Sequence, residues 1–258
     1  MNSLAPSSVQ TSPATSPEGL NPGADYPLKA VLWDMDGTLV DTEPYWIDAE
    51  FALVEAHGGN WSHGQALTLV GQSLVFSSHV LQDAGVALDS RTIIYTLTTE
   101  VIRRVRQEVP WRPGARELLH ELVEQGVRCA LVTMSEGPLA AEVVASLPQP
   151  YFEFMITGDL VTHGKPDPEP YLTAVQRLRL EDPSLSIDDC VALEDSVPGV
   201  ASALASGVIT VGIPHTVALP ADGGYTVWPS LADRMVADLQ QLVAVRHGAV
   251  AAAPECAK

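Results

Sequence analysis

The sequence predicts an α/β protein: a doubly wound parallel sheet with a smaller all-helical module inserted after its first strand. Three observations lead there. Short apolar runs without polar alternation, as parallel strands buried on both faces show, recur along the chain. Between them lie segments of roughly 10–15 residues with helix start and stop signals. One stretch, about 44–108, breaks this rhythm and carries helix signals alone. At 258 residues the chain is long enough for one full α/β core and a second, smaller module.

Taken in order, residues 29–34 (KAVLWD) form an apolar run ending in an acid, the pattern of a buried parallel strand. Four helices follow in the inserted module. The first, 44–57, is opened by Pro44. The second, 62–70, starts with Ser62 and Gln65 at capping-box spacing. The others span 73–84 and 89–107. The core resumes with a helix between Pro113, suited to a first turn, and Gly126, suited to a stop. Strands are then expected at 128–133, 154–157, 190–193 and 208–212, with a short one near Val227. Helices at 138–147, 168–180, 197–206 and 231–245 complete the alternation. The core is thus read as 28–43 plus 109–247, and the helical module as 44–108.

The two ends read differently. Residues 1–27 are dominated by Ser, Pro, Thr, Ala and Gly, a composition that buries too little to offset chain ordering. They hold no Lys or Arg and no apolar stretch of signal-peptide length, so a disordered tail is expected. Residues 248–258 are Ala-rich and expected to fray. Nowhere do eighteen apolar residues run together, so no membrane span is expected. Cys129, Cys190 and Cys256 give an odd count without CxxC spacing, which indicates no disulfide framework and suits a reducing, cytoplasmic setting. A formal net charge of −18 excludes nucleic acid as a partner, because nothing would offset phosphate repulsion. The seven histidines are scattered without metal-ligand spacing and are expected to be structural or exposed.

Chemistry gathers at the strand ends. Asp34 and Asp36, in Asp34-Met35-Asp36-Gly37-Thr38, follow the first strand at the carboxyl edge where open α/β sheets place ligands. Two carboxylates about 4 Å apart repel by roughly 4 kcal/mol at an effective dielectric near 20. Such a pair calls for a cation between them or a retained proton. The next strand ends in Thr133, a hydroxyl donor for a phosphate oxygen. Lys165 stands in a Gly-Lys-Pro-Asp turn and supplies a point charge. A further strand ends in Glu194-Asp195, hard oxygen ligands of the kind Mg²⁺ prefers. A parallel sheet brings these ends around one cavity.

These four motifs (DMDGTL, a Thr ending an apolar strand, GKPDP, and an apolar strand ending in EDS) resemble those of the haloacid dehalogenase superfamily. They occur in its order from about Lys29 to Pro214, with the inserted helices where its first-type cap lies. DTEP followed by a helix is most similar to the sugar-phosphatase and β-phosphoglucomutase-like branch. The resemblance implies a Rossmann-like core and a phosphatase acting on a small phosphate ester. It implies that Asp34 attacks phosphorus to give an aspartyl-phosphate, and that Asp36 serves as general acid and then base. Thr133 and Lys165 would hold the transferring group, with Ser135 adding a contact. Mg²⁺ would be held by Asp34, the Asp36 backbone carbonyl and Asp195, with Glu194 a direct or water-mediated neighbour. A monomer is expected.

Dehalogenases of the superfamily lack the second aspartate, since a halide needs no proton; Asp36 therefore points to phosphate esters. The nearest rival is a sugar-phosphate mutase, which must hold a second phosphate under its cap with basic residues. No Lys or Arg occurs from Ala30 through Ser90, including Gly71-Gln72-Ser73, the expected specificity loop. Arg91, Arg103, Arg104 and Arg106 follow and are read as a solvated face. Hydrolysis of a phosphate ester with a neutral sugar or polyol body is the favoured reading. A phospho-accepting receiver and a non-catalytic binding module remain as other classes.

Overall fold

The computed structural model describes residues 27–221 and 223–252. The tail expected at 1–27 falls outside them but for Pro27, as do residues 253–258 of the tail expected at the other end. Six parallel strands form one sheet in the order β3-β2-β1-β4-β5-β6. They are β1 (Ala30–Trp33), β2 (Arg128–Val132), β3 (Phe154–Ile156), β4 (Cys190–Glu194), β5 (Ile209–Gly212) and β6 (Thr226–Val227). In the central β1, all four residues are fully buried, which requires the unbroken apolar run seen in the sequence.

Alternation along β1 sorts the two faces. Val31 and Trp33 join the larger core, which includes Leu118, Leu119 and Leu122 of α5 (Ala115–Glu124) and Leu139 and Val143 of α6 (Gly137–Ala145). Leu239 and Val243 of α9 (Val236–Ala252) pack there too. Ala30 and Leu32 point the other way, against Tyr171, Ala174 and Leu178 of α7 (Glu169–Glu181) and Ala203 of α8 (Val197–Ser206). Helices on both faces make the sheet doubly wound, as expected.

Between β1 and α5 lie only helices: α1 (Glu43–Ala56), α2 (His63–Leu67), α3 (Leu74–Asp83) and α4 (Ser90–Val105). Their apolar faces, including Leu53, Leu81, Ile93, Leu97 and Val101, continue the larger core rather than forming a separate one. The Ser62–Gln65 capping box is present, yet α2 ends at Leu67 instead of reaching residue 70. There Thr68 turns its hydroxyl onto the Gln65 carbonyl at 2.6 Å, a local bond that competes with helix continuation.

The last helix is shifted from its expected span of 231–245. Asp233 adopts a positive φ of 61°, which no right-handed helix accommodates, so α9 begins at Val236. It then runs through Gly248 to Ala252, where fraying was expected, because alanine is the strongest helix former. No helix among the described residues is long and apolar enough to cross a membrane.

Candidate active site

Register sets the site. Trp33 pairs with Leu131 on one side and Leu193 on the other, so Asp34 emerges level with the carboxyl ends of β2 and β4. The Asp34 amide donates to the Leu193 carbonyl at 3.0 Å, extending the ladder by one residue before the chain turns. Met35 then drops into the core, fully buried, while Asp34 and Asp36 both line a cavity between the sheet edge and the helical module. Gly37, at a φ of 90°, closes the turn. A Cβ there would lie 2.0 Å from Asp195 Oδ2, so the position needs glycine for space as well as for conformation.

Lys165 is the anchor of the floor. Its Nζ lies 2.6 Å from Asp34 Oδ1 and 2.6 Å from Glu194 Oε1, and it donates to the Val132 carbonyl at 2.9 Å. Burial alone would favour the neutral amine, but Asp34 and Glu194 outweigh it and hold the ammonium above the ordinary lysine range. Glu194, wholly buried, also accepts from the Tyr171 hydroxyl at 2.5 Å and from Ser196 at 3.4 Å.

Asp34, Glu194 and Asp195 bring carboxylate oxygens within 4.8 Å of one another. Burial pushes the Asp34 carboxyl up to about 8; Lys165 opposes this and Glu194 adds to it. Burial likewise drives Asp195 well above the usual carboxylate range, reinforced by Asp34 and Glu194. Asp34 Oδ2 and Asp195 Oδ2 are buried without a hydrogen-bond partner among the described residues. Crowded, dehydrated hard oxygens with two orphaned lone-pair sites fit a divalent cation, whose charge would offset both burial and mutual repulsion. Among the described residues the Asp36 carboxylate is not part of that cluster.

Asp36 is instead gripped by hydroxyls and an indole. Oδ1 accepts from Thr42 Oγ1 at 2.5 Å and Trp46 Nε1 at 3.2 Å; Oδ2 accepts from Ser135 Oγ at 2.7 Å and Thr133 Oγ1 at 3.2 Å. The Thr133 hydroxyl also accepts the Ser135 amide at 3.0 Å. Thr133, Ser135 and Lys165 thus line one cavity with both aspartates, and Glu194 and Asp195 stand behind Asp34. All the site residues expected from the motifs are brought together.

The roof holds Gln72 of the expected specificity loop together with residues assigned no role from the sequence. Glu43, Trp46 and Glu50 of α1 face the cavity, with Gln72 and Leu97 beside them. Burial raises the Glu43 carboxyl to about 8, aided by Asp36 and Glu50; burial raises Glu50 to about 8 against the opposing bond from Trp61. Their spacing of three, then four residues marks one helix face and is visible in the sequence. Acids on a helix face ordinarily mean solvent, and that masks the signal. Tyr171 carries no comparable signal.

The arginines lie elsewhere. Arg91 pairs with Glu136, Arg103 with Glu100, Arg104 with Asp48 and Glu100, and Arg106 with Glu142. None lines the cavity, where Lys165 is the one Lys or Arg among the described residues.

Known proteins are similar to this chain. The phosphorylated carbohydrates phosphatase of Thermotoga maritima is 31% identical over 193 residues, 74% of this chain and 87% of its own. Hexitol phosphatase A of Escherichia coli is 33% identical over 201 residues, covering 72% and 84%. Among solved structures, CbbY from Rhodobacter sphaeroides in complex with xylulose-(1,5)bisphosphate superposes with a TM-score of 0.70 at 25% identity, covering 82% of this chain and 98% of that one. The family model of haloacid dehalogenase-like hydrolases matches residues 28–207, which hold every strand-end residue described above. The chain belongs to the haloacid dehalogenase-like hydrolases.

Proposed function

We propose that this protein is a Mg²⁺-dependent phosphomonoester hydrolase acting on a small sugar or polyol phosphate through an aspartyl-phosphate on Asp34. One observation carries the reading: the Asp34 carboxylate, held by Lys165, faces the same cavity as Asp36, a second carboxylate that among the described residues lies apart from the acidic cluster. That division suits a nucleophile and a separate proton carrier. The phosphatase names of the two curated relatives support the same chemistry.

In this mechanism the Asp34 carboxylate attacks phosphorus in line and the ester oxygen leaves with a proton from Asp36. Asp36 then takes a proton from water as that water attacks the aspartyl-phosphate, releasing phosphate and restoring Asp34. Lys165, Thr133 and Ser135 are the donors available to the phosphoryl oxygens. Asp34, the Asp36 backbone carbonyl and Asp195 would hold Mg²⁺, whose charge offsets that of the transferring group. Glu194, whose oxygens already serve Lys165, Tyr171 and Ser196, would reach the ion through water. A receiver or a binding module has no use for a proton carrier beside the nucleophile.

The test is continuous phosphate release across sugar, polyol and nucleotide monophosphates, with Mg²⁺ and with a chelator. Asp34→Asn is expected to abolish release, since an amide is no nucleophile, while the fold survives because one crowded carboxylate is relieved. Normal turnover by a folded Asp34→Asn variant would remove the mechanism.

A further inference from the structure

We propose that Glu43 and Glu50 form a hydroxyl-reading wall in the cavity, which selects a neutral polyol body and rejects one bearing a second anionic group. The inference rests on the phosphomonoesterase reading above and names the body of its substrate. Three observations carry it.

The first is placement. Glu43, Trp46 and Glu50 share one face of α1 and line the cavity that holds Asp34 and Asp36. Seven helical residues separate the two acids by about 10 Å along the axis, a spacing comparable with the length of a chain of roughly five or six carbons. Glu43 stands nearer the reacting centre, next to Thr42, whose hydroxyl donates to Asp36. Glu50 marks the far end.

The second is unmet polarity. Glu43 is 7% exposed, and among the described residues its carboxyl makes no hydrogen bond or ion pair. Glu50 is 5% exposed, with one oxygen fixed by Trp61 Nε1 at 3.3 Å. A cavity-lining carboxyl that the protein leaves unpaired is open to a ligand's donors. Hydroxyls serve a carboxyl in either protonation state. The Trp46 ring between the two acids is tethered to Asp36 and offers carbon to the polyol backbone.

The third is the charge balance. With Lys165 engaged by Asp34 and Glu194, the described residues of the cavity offer no further Lys or Arg to a second phosphate or carboxylate. The roof adds two carboxyls and no base, so a second anion finds nothing there to offset its charge.

The experiment measures kcat and KM for a hexitol phosphate, glycerol 3-phosphate, fructose 1,6-bisphosphate and p-nitrophenyl phosphate. Wild type is compared with Glu43→Leu and with Glu50→Leu, Glu50→Gln and Glu50→Lys. The kcat/KM ratio of hexitol phosphate to aryl phosphate is expected to fall about tenfold in Glu50→Leu, mainly through KM. Glu50→Gln, which still pairs with hydroxyls, should keep most of that ratio. Glu43→Leu should penalise the three-carbon ester as well, whereas Glu50→Leu should spare it relative to the six-carbon one. Glu50→Lys should raise bisphosphate over monophosphate at least tenfold. Equal losses on every substrate, or unchanged ratios in both Glu50→Leu and Glu50→Lys, would overturn the wall. A wild type that hydrolyses other phosphomonoesters but no polyol phosphate would also overturn it and leave the hydrolase standing. A wild type that releases phosphate from none of them overturns the hydrolase reading itself.

Discussion

Four donors converge on the Asp36 carboxylate, and two of them, Thr42 and Trp46, come from the junction with the helical module and its first helix. The other two, Thr133 and Ser135, follow β2 on the core side. Asp36 is therefore held by both parts of the molecule, as the proton carrier of the proposed mechanism needs to be. Asp36→Asn keeps much of this bonding and keeps the backbone carbonyl proposed for the metal. Its turnover is expected to fall by something like the 10²–10⁴ typical of general acid–base catalysis. The loss should be smaller for aryl phosphates, whose leaving groups need little protonation. Steady-state rates across esters of graded leaving-group pKa check this, and an equal loss on all of them would make Asp36 structural. Residues of this kind were readable because motif and strand end coincide. Tyr171 was not, since its bond to Glu194 joins the start of α7 to the end of β4 across 23 residues of sequence.

At the scale of elements, α8 shows how a helix can be placed for its neighbour's sake. Ser196 caps it by accepting the Gly199 amide at 3.1 Å, and the first turn then lies against Glu194. A Cβ on Gly199 would sit 1.9 Å from Glu194 Oε2. Replacing a helix-interior glycine by alanine ordinarily stabilises by up to about 1 kcal/mol. Here the gain is opposed by a clash with a fully buried carboxylate already engaged by Lys165, Tyr171 and Ser196. Gly199→Ala is expected to shift Glu194 and with it Lys165, lowering kcat at least tenfold and weakening apparent Mg²⁺ affinity. Activity titrated against Mg²⁺ measures both; wild-type values would show that Glu194 has room to move. The helix itself was readable from Ser196, Pro198 and the apolar pattern. Its close approach was not, because a glycine inside a helix pattern looks the same whether it faces solvent or a buried carboxylate. The ends of α2 and α9 were missed for a local reason: one threonine hydroxyl and one left-handed aspartate overrode the wider periodicity.

Across the whole molecule, charge decides between hydrolysis and phosphate transfer within a sugar. A mutase grips one phosphate with its cap while the core transfers another, so two dianions enter one poorly hydrated space and both need cationic partners. In this chain Lys165 stands on the core side, and the roof presents Glu43 and Glu50 instead of a base. Arg91 and Arg106 reach across to acids of the core, Glu136 and Glu142. Arg103 and Arg104 are tied to Glu100 and Asp48 within the helical module. The absence of Lys and Arg between Ala30 and Ser90 was plain in the sequence. Where the later arginines pointed was not, because a helical pattern alone does not say which partners its polar face meets. A β-hexose 1-phosphate supplied with catalytic hexose 1,6-bisphosphate is therefore expected to yield inorganic phosphate or nothing, and no 6-phosphate isomer. Coupled detection of glucose 6-phosphate beside phosphate release makes the comparison in one assay. Isomer formed at several turnovers per second, faster than phosphate, would refute the hydrolase. It would require Arg103 or Arg104 to leave its acidic partners and turn into the cavity.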